Sequence, residues 1–287
     1  MAQIDYVRAQ SINQALQLLS ESGHVNRLLA GGTDLLVYMR HEKPDFTRLV
    51  DITRIPELKI IELHGDQIHI GAAVTFSEVA ESPIIKENAA CLVESALSVG
   101  GPAIRNVATL GGNVINAAAC ADSLPPLVCC DAVAHLQSLQ GERSLPVAEL
   151  VDGPNHTDLH PGELLTYFSM PVFPANVRSG FIKLGRRNAQ AISRLSIATA
   201  GRLDGNGHID YARLVSGAAT PHVHRYADVE TYLLGKTPDT TTLEEAARIC
   251  AATMVSITGR RWSTDYKETA IQGMAEQGLR AVFGIHN

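Results

Sequence analysis

Two glycine pairs, each followed by a small polar residue, constrain this sequence more than any other feature. The first pair lies in Ala30-Gly31-Gly32-Thr33-Asp34, and the second lies in Thr109-Leu110-Gly111-Gly112-Asn113. Glycine has no β-carbon and adopts positive φ, so it allows the backbone to turn sharply or to approach a ligand closely. Runs of exposed backbone N–H groups bind anions. Together the loops predict a site that holds one extended diphosphate from two sides, although either loop alone is more often a structural turn.

Composition limits the function classes that need to be considered. The chain has 287 residues, of which 45% are hydrophobic and 19% charged, and its net charge is −6. These values are typical of a folded protein with room for two domains. This acidic balance gives no support to nucleic-acid binding, which usually requires a basic face. Because the sequence contains no apolar run of membrane-spanning length and no signal peptide at Met1, we expect no membrane span and a cytoplasmic location.

The cysteines and histidines do not predict a metal or cluster site. Five cysteines are scattered along the chain without a C-x-x-C pair, which argues against a disulfide framework and against an iron–sulfur cluster in this chain. The adjacent Cys129 and Cys130 follow apolar residues and are interpreted as core residues rather than a redox pair. His156 and His160 flank Asp158 in a loop, and without further ligands they are expected to be solvated, so that no metal is predicted.

Hydrophobic periodicity predicts two blocks of structure. The first block starts as strand, glycine turn, helix and strand, and continues with a hairpin around His64-Gly65-Asp66 and a helical stretch from Ile84 to Val99. Composition changes after Pro174. The second block is predicted to contain a strand, a tight turn, a return strand and two amphipathic helices, at Leu195–Leu203, Asp204–Gly207, His208–Ala219, Leu243–Met254 and Tyr266–Phe283.

The order and spacing of these motifs resemble the FAD-binding medium subunit of the molybdenum hydroxylase family, which includes xanthine dehydrogenase and carbon monoxide dehydrogenase. The matching residues span nearly the whole chain. They are Leu28 to Asp34, Ile104 to Asn113, Asp122, Gly162 to Leu165 before Pro171, and Lys183 to Arg187.

The resemblance implies an α+β fold. A two-subdomain FAD-binding fold of the vanillyl-alcohol oxidase and p-cresol methylhydroxylase type would be followed by a small C-terminal α+β domain with an antiparallel sheet and helices. The implied domains are residues 1–174, with subdomains of about 1–54 and 55–174, and residues 175–287.

The resemblance also implies a function in electron transfer. FAD would be bound without a covalent bond, and the partners would be a large molybdopterin-binding subunit and a small subunit with [2Fe–2S] clusters, assembled as a dimer of heterotrimers. Substrate, a purine or another N-heterocycle, would be hydroxylated in the large subunit. Electrons would then pass through the clusters to the FAD and on to NAD, oxygen, ferredoxin or quinone.

Individual site residues are implied in the same way. Leu28, Leu29, Ala30, Gly31, Gly32, Thr33 and Asp34 would wrap the pyrophosphate and ribityl chain. The second loop, with Ala108, Thr109, Gly111, Gly112 and Asn113, would contact phosphate and the flavin edge, with Asn116 and Asp122 close by. Asp122 would bind a ribose or ribityl hydroxyl, or would instead cap a helix beside Ser123.

Three further residues are expected around the cofactor, and none is assigned a catalytic role. Leu165 would pack near the adenine. Lys183 would reach the polar edge of the flavin, where a cation stabilises the reduced anionic ring, or would belong to a solvated basic face with Arg186, Arg187 and Arg194. Ile192 would lie near the flavin face, where it would gate access of the electron acceptor, or would be an ordinary core residue.

Two rival interpretations remain open at this level. A stand-alone FAD oxidase or reductase of the same fold would need its own substrate pocket with an acid or base. A non-catalytic assembly subunit would use both glycine loops structurally, and the purified protein would be colourless.

Overall fold

The computed structural model describes residues 4–285, which begin with a three-stranded parallel sheet. Strands and helices alternate in the order β1 Asp5–Arg8, α1 Ile12–Ser20, β2 Asn26–Leu29, α2 Leu35–His41 and β3 Arg48–Asp51. The central strand is β3, which pairs with β1 and β2, and all four of its residues are buried. The first glycine loop therefore follows an edge strand, where its backbone remains accessible.

A five-stranded antiparallel sheet follows, with the order β4-β5-β8-β6-β7. Its strands are β4 Ile61–His64, β5 Gln67–Gly71, β6 Val133–Ser138, β7 Gly141–Pro146 and β8 Leu164–Pro171. The hairpin predicted around Gly65 is confirmed as the β4–β5 pair, in which Ile61 faces Ile70. Strand β8 lies at the centre of the sheet although it is the last of the five in sequence, and many of the intervening residues form helices.

Seven helices lie in sequence between strands of that sheet. Six of them come between β5 and β6 and the last between β7 and β8, at α3 Phe76–Glu81, α4 Pro83–Asn88, α5 Ala90–Ser98, α6 Pro102–Arg105, α7 Leu110–Asn116, α8 Leu124–Cys129 and α9 Val147–Leu150. The prediction of one continuous helical stretch from Ile84 to Val99 is wrong. Ala89 has φ −152° and ψ 63°, and its N–H closes the last turn of α4 on the Ile85 carbonyl. Periodicity did not reveal this break because apolar residues continue at helical spacing through it.

The C-terminal block forms a four-stranded antiparallel sheet with the order β12-β11-β10-β9. The strands are β9 Arg178–Leu184, β10 Leu195–Leu203, β11 Ile209–Gly217 and β12 His224–Arg225, and the helices are α10 Ala227–Leu233, α11 Thr240–Thr258 and α12 Thr264–Phe283. The predicted strand at Leu195–Leu203 and the turn at Asp204–Gly207 are confirmed, as are both long helices. The fold is therefore α+β with a C-terminal antiparallel sheet.

The hydrophobic core connects the blocks. One cluster of buried side chains includes Leu92 and Leu127 from the helices of the second sheet together with Ala198, Ala200 and Val215 from the C-terminal sheet. Helices α5 and α8 thus pack directly on β9, β10 and β11. Burial of apolar surface is the main favourable term in folding, so this shared cluster stabilises both blocks together.

The cysteine interpretation is confirmed for the adjacent pair. Cys129 and Cys130 are 0% and 2% exposed and belong to that core cluster. The Sγ of Cys130 lies 3.8 Å from the Sγ of Cys91, a contact between distant parts of the sequence that no spacing pattern signals. Within residues 4–285, no helix is both long and apolar enough to cross a bilayer.

Candidate cofactor site

The first glycine loop connects β2 to α2 and presents a run of free backbone donors. The N–H groups of Gly31, Gly32, Thr33 and Asp34 donate no hydrogen bond to any residue in the described range 4–285. Gly32 has φ +70°, which an L side chain rarely adopts. Consecutive free N–H groups in such a turn form a concave anion site. The loop therefore fits the diphosphate of a dinucleotide such as FAD.

The second glycine loop is built differently. Thr109 caps α7, because its Oγ1 accepts a hydrogen bond from the Gly112 N–H at 3.0 Å. The N–H of Gly111 donates to the Ala72 carbonyl at 2.9 Å, and that of Asn113 donates to the Thr109 carbonyl at 3.0 Å. These N–H groups are already engaged, so the expected backbone grip on the diphosphate from two sides is not seen at this loop. It contributes side chains and close packing instead.

The two loops are in direct contact. A β-carbon on Gly31 would lie 2.8 Å from the α-carbon of Ala108. Leu28 and Leu29 lie half-buried at the end of β2, directly before the first loop, and Ala108 is buried beneath it. The residues expected around the pyrophosphate are thus brought to one place.

Asn113 and Asn116 lie on α7 beside the second loop. The Oδ1 of Asn113 accepts a hydrogen bond from the Ser123 hydroxyl at 2.6 Å, so that its amide nitrogen keeps its two donor hydrogens for another partner. Asn116 is half-buried in the last turn of α7. Asn113 and Asn116 are therefore candidates for the polar lining of the cofactor site.

Asp122 forms a buried ion pair with Lys183. The Lys183 Nζ lies 2.6 Å from Oδ2 of Asp122 and 3.1 Å from the Ser98 carbonyl oxygen, while the Ser193 hydroxyl donates to Oδ1 of Asp122. The Asp122 and Lys183 side chains are only 7% and 14% exposed. Burial raises the pKa of the Asp122 carboxyl, and the Lys183 ammonium offsets part of that effect. Lys183 is therefore not part of a solvated basic face.

The same contacts bear on the expected roles of Asp122. Ser123 precedes α8 without a side-chain capping bond, and Asp122 directs its carboxylate to Lys183 and Ser193. Each Asp122 oxygen thus already has a partner within the protein. The helix-cap alternative is wrong, and a cofactor hydroxyl would have to share an oxygen that is already bonded.

Leu165 does not fit its expected place near the adenine. It lies in β8 opposite Leu136 and is 3% exposed within the main hydrophobic cluster. A ligand cannot contact a side chain buried this deeply unless the core repacks. The strand β8 directs the Leu165 side chain into the core.

The loop between β9 and β10 carries Ile192 and the arginines. Ile192 is 76% exposed, so the alternative of an ordinary core residue is wrong. The Arg187 guanidinium donates to the carbonyl oxygens of Ala189 and Gln190 in its own loop, whereas the guanidinium of Arg194 lies 5.9 Å from the centre of the Tyr266 ring. Arg187 and Arg194 therefore have different partners, which does not support the predicted basic face that includes both.

Sequence reasoning did not identify Ser193, Ser98 or Gln190. The side-chain amide of Gln190 lies beside Gly101, the residue before α6, where a β-carbon would be 3.1 Å from its Nε2. A polar residue in a loop carries no signal for such a contact. The lysine in Lys183-Leu184-Gly185 was the one available clue, because a buried lysine requires an acidic partner.

A cavity of about 400 Å³ lies away from these residues, between α5, β9 and α12. Glu94 lines it, and burial raises the pKa of that carboxyl. None of the residues expected to bind the cofactor lines this cavity. It therefore does not supply the substrate pocket beside the cofactor that the stand-alone enzyme interpretation requires.

Comparison with known proteins agrees with this geometry. Residues 2–173 match the model of the FAD binding domain in molybdopterin dehydrogenase, and residues 181–282 match that of the CO dehydrogenase flavoprotein C-terminal domain. The xanthine dehydrogenase FAD-binding subunit of Escherichia coli O157:H7 is 34% identical over 274 residues, covering 95% of this chain and 93% of that protein. The nicotinate dehydrogenase FAD-subunit of Eubacterium barkeri is 29% identical over 280 residues, covering 96% and 94%.

A solved structure has the same fold over the whole chain. Carbon monoxide dehydrogenase from Hydrogenophaga pseudoflava superposes with a TM-score of 0.90 and 26% identity, covering 99% of both chains. Matches of this extent, together with the free amides of the first glycine loop, define the kind of protein. The chain belongs to the family of FAD-binding medium subunits of the molybdenum hydroxylases, and it is a flavoprotein subunit of a molybdenum-containing oxidoreductase.

Proposed function

We propose that this subunit accepts electrons from [2Fe–2S] clusters in a small partner subunit and passes them through FAD to an external acceptor. The acceptor would be NAD, oxygen, ferredoxin or quinone. The substrate would be hydroxylated at the molybdopterin of a large partner subunit, and the assembly would be a dimer of heterotrimers in the cytoplasm. The observation that carries the proposal is the set of four free N–H groups at Gly31–Asp34.

The chain's own residues have separate tasks in this proposal. The N–H groups of the first loop bind the diphosphate and fix the position of the cofactor without a covalent bond. When bound, FAD supplies the chemistry, because it accepts electrons one at a time and releases them singly or as a hydride. The ammonium of Lys183 keeps one N–H free beyond Asp122 and Ser98, and it stabilises negative charge on the reduced ring.

The substrate class is inferred from the relatives. One of them is described as a subunit of xanthine dehydrogenase and another as a subunit of nicotinate dehydrogenase. Xanthine is a purine and nicotinate a pyridine, so both substrates are N-heterocycles. We extend that class to the complex of this chain. We also place the domain boundary between residues 174 and 175, which agrees with the family matches at 2–173 and 181–282.

The first experiment is purification of the chain alone and together with a large molybdopterin-binding subunit and a small [2Fe–2S] subunit. The cofactor released by denaturation is identified by mass, and reduction of the bound flavin is followed anaerobically after N-heterocycle is added. We expect a yellow protein with dissociable FAD, which is reduced by substrate only in the complex.

Two outcomes would support the rival interpretations. Turnover of a substrate by the chain alone would identify a stand-alone oxidase or reductase. A folded but colourless chain that takes up no FAD, even when added FAD and the partners are present, would identify an assembly subunit.

A further inference from the structure

Helix α2 is rich in hydrophobic residues, yet it lies uncovered on the surface of the chain. Its sequence is Leu-Leu-Val-Tyr-Met-Arg-His, and none of these seven residues, all of which lie in the described part of the chain, is buried. Successive residues of a helix point to different sides, so a helix of this composition is expected to be packed against other elements. Helix α2 therefore lacks, within this chain, the contacts that its composition favours.

The apolar surface of α2 continues toward α6 across the first glycine loop. A β-carbon on Gly32 would lie 3.3 Å from Cδ1 of Leu36, and one on Gly31 would lie 2.0 Å from the Val107 carbonyl oxygen. Leu36 and Val107 thus border the same pair of glycines. Five large hydrophobic residues around these glycines, each between 37% and 52% exposed, form what we call the α2–α6 patch: Leu36, Val37, Tyr38, Ile104 and Val107.

Grouped exposure of this kind has a different meaning from scattered exposure. Single hydrophobic residues on a surface are ordinary, whereas a contiguous apolar patch marks a site of interaction with another molecule. The α2–α6 patch combines residues from two segments that are more than sixty positions apart in sequence. We therefore ask which partner it fits.

The position of the patch favours a partner that exchanges electrons with the cofactor. Helix α2 begins directly after the four free N–H groups of the first glycine loop. At 1.5 Å per residue its seven residues extend over about 10 Å, so a protein that docks on α2 lies beside the candidate cofactor site. Rates of electron tunnelling fall exponentially with distance, and an electron donor to the flavin therefore has to dock close to that site.

The charge next to the patch favours an acidic partner surface. Arg40, His41 and Lys43 are exposed at the end of α2, and Glu42 is the one acidic residue among them. A [2Fe–2S] cluster is held by four cysteine thiolates, which give it a net negative charge. Complementary charge across an interface speeds association and fixes orientation.

We propose that the α2–α6 patch is the surface on which the small [2Fe–2S] subunit docks. The apolar side chains form the core of this interface, and Arg40 and Lys43 belong to its polar rim, as in other interfaces between proteins. The inference rests on the proposed function, because the small subunit and its clusters are taken from there. It adds the place on this chain where that subunit binds.

Titration calorimetry of the FAD-loaded chain with the purified small [2Fe–2S] subunit tests the docking. We expect Val37→Glu to weaken binding at least tenfold, because the substitution places a carboxylate in the apolar core of the interface. FAD affinity, measured by fluorescence titration, should stay within about twofold, since Val37 does not belong to the candidate cofactor site.

Val25→Glu is the matched control. Val25 is 57% exposed, but it precedes β2, whereas the first glycine loop follows that strand. The same substitution at this end of the strand should leave the affinity for the small subunit unchanged. A loss as large as that of Val37→Glu would show that any added carboxylate weakens the complex, and would contradict the assignment to the α2–α6 patch.

Arg40→Glu tests the polar rim. We expect it to slow association with the small subunit about tenfold at low salt, and the difference should vanish at about 0.5 M salt, where charges are screened. Lys86→Glu on α4 makes the same change in net charge at another exposed position and should have an effect of less than about twofold. If Val37→Glu does not fold by circular dichroism, the Arg40→Glu result decides.

Four outcomes would overturn the inference. Unchanged affinity in both Val37→Glu and Arg40→Glu would show that the small subunit docks elsewhere. A loss of affinity for the large subunit alone would assign the patch to that subunit, and an equal loss of FAD affinity would assign it to the cofactor. A dimer of the unchanged chain that Val37→Glu dissociates, seen by analytical ultracentrifugation, would assign it to a second copy.

Failure of the proposed function would give a different result. If the unchanged chain bound no FAD, the proposed function would be contradicted, while titration of the FAD-free chain with the small subunit would still decide the docking. If the chain bound FAD but not the small subunit, the docking would be refuted and the cofactor assignment would stand.

Discussion

Gly31 lies so close to Val107 that a β-carbon on the glycine would be 2.0 Å from the valine carbonyl oxygen. Both partners are backbone, so neither can rotate away as a flexible side chain would. The glycine is therefore required for the contact between the two loops, independently of any ligand. This contact fixes the position of the free N–H groups relative to α6 and α7.

We expect Gly31→Ala to destabilise the protein by about 1–3 kcal/mol, as overpacking of a close contact does. The free energy of unfolding from urea titration measures this. Gly273→Ala is the control, because Gly273 lies inside α12 with no atom within 4 Å of its would-be β-carbon, and alanine there should stabilise the helix by about 1 kcal/mol. Equal stability of Gly31→Ala and the unchanged chain would show that the loops do not touch in solution.

Gly112 has a different role from its neighbour Gly111. A β-carbon on Gly111 would lie 2.6 Å from the Ala72 carbonyl oxygen. A β-carbon on Gly112 would instead lie 2.7 Å from the Thr109 Oγ1, which belongs to a side chain. We expect Gly112→Val to keep the fold, at a cost of about 1 kcal/mol from the disturbed helix cap, and to weaken FAD binding by more than about tenfold.

Fluorescence titration with FAD and thermal unfolding separate these two effects. Gly111→Ala should lower the unfolding temperature more than Gly112→Val does, although alanine is the smaller side chain. Stoichiometric FAD in folded Gly112→Val would show that the open side of this glycine does not face the cofactor.

Asp51 makes the parallel sheet sensitive to acid. Burial alone raises the pKa of this carboxyl, but hydrogen bonds from Thr53, Tyr6 and Arg8 outweigh it and lower the pKa to about 2 from 3.8. Because the folded pKa is the lower one, the stabilisation is complete above pH 3.8 and is lost as pH falls through about 2. The unchanged chain should lose roughly 1–2 kcal/mol more than Asp51→Asn between pH of about 5 and about 2.

Urea unfolding of both proteins at several pH values measures that difference. Asp45→Asn serves as the control, since Asp45 is exposed and its oxygen lies 3.4 Å from Arg27. Parallel stability curves for Asp51→Asn and the unchanged chain would contradict the prediction.

Trp262 reports on the surface of the C-terminal block. It is the single tryptophan of the chain and is 95% exposed. We therefore expect the long-wavelength emission of a hydrated indole, with almost no shift when the chain unfolds in urea. Iodide should quench it more than caesium does, because Arg260 and Arg261 precede it in sequence. A short-wavelength emission that shifts on unfolding would place the indole in a packed environment.

Local chemistry made much of the fold predictable. Leu195–Leu203 was predicted with its correct bounds, because its apolar run ends at Asp204-Gly205-Asn206-Gly207, a turn signal that needs no knowledge of the rest of the chain. The first glycine loop was likewise recognised from its own residues, and its free amides agree with the predicted anion site.

Contacts between distant segments were beyond such reasoning. The partner of Lys183 lies 61 residues away, and nothing in either segment specifies the other. Leu165 was assigned to a ligand because its motif resembles the family's, whereas the pleat of β8 directs it toward Leu136 and the core. The Gly111 amide of the second loop is engaged by the Ala72 carbonyl, which only the folded chain brings near.

The core that Leu127 shares with Ala198 and Val215 limits how such subunits can evolve by recombination. The two halves match separate family models, yet the inner faces of α5 and α8 are complementary to this particular C-terminal sheet. A half taken from a relative would bring side chains of different volume to that junction, and close-packed interiors tolerate such mismatches poorly. A hybrid of two such halves is therefore expected to be less stable than either parent chain unless side chains on both sides of the junction change together.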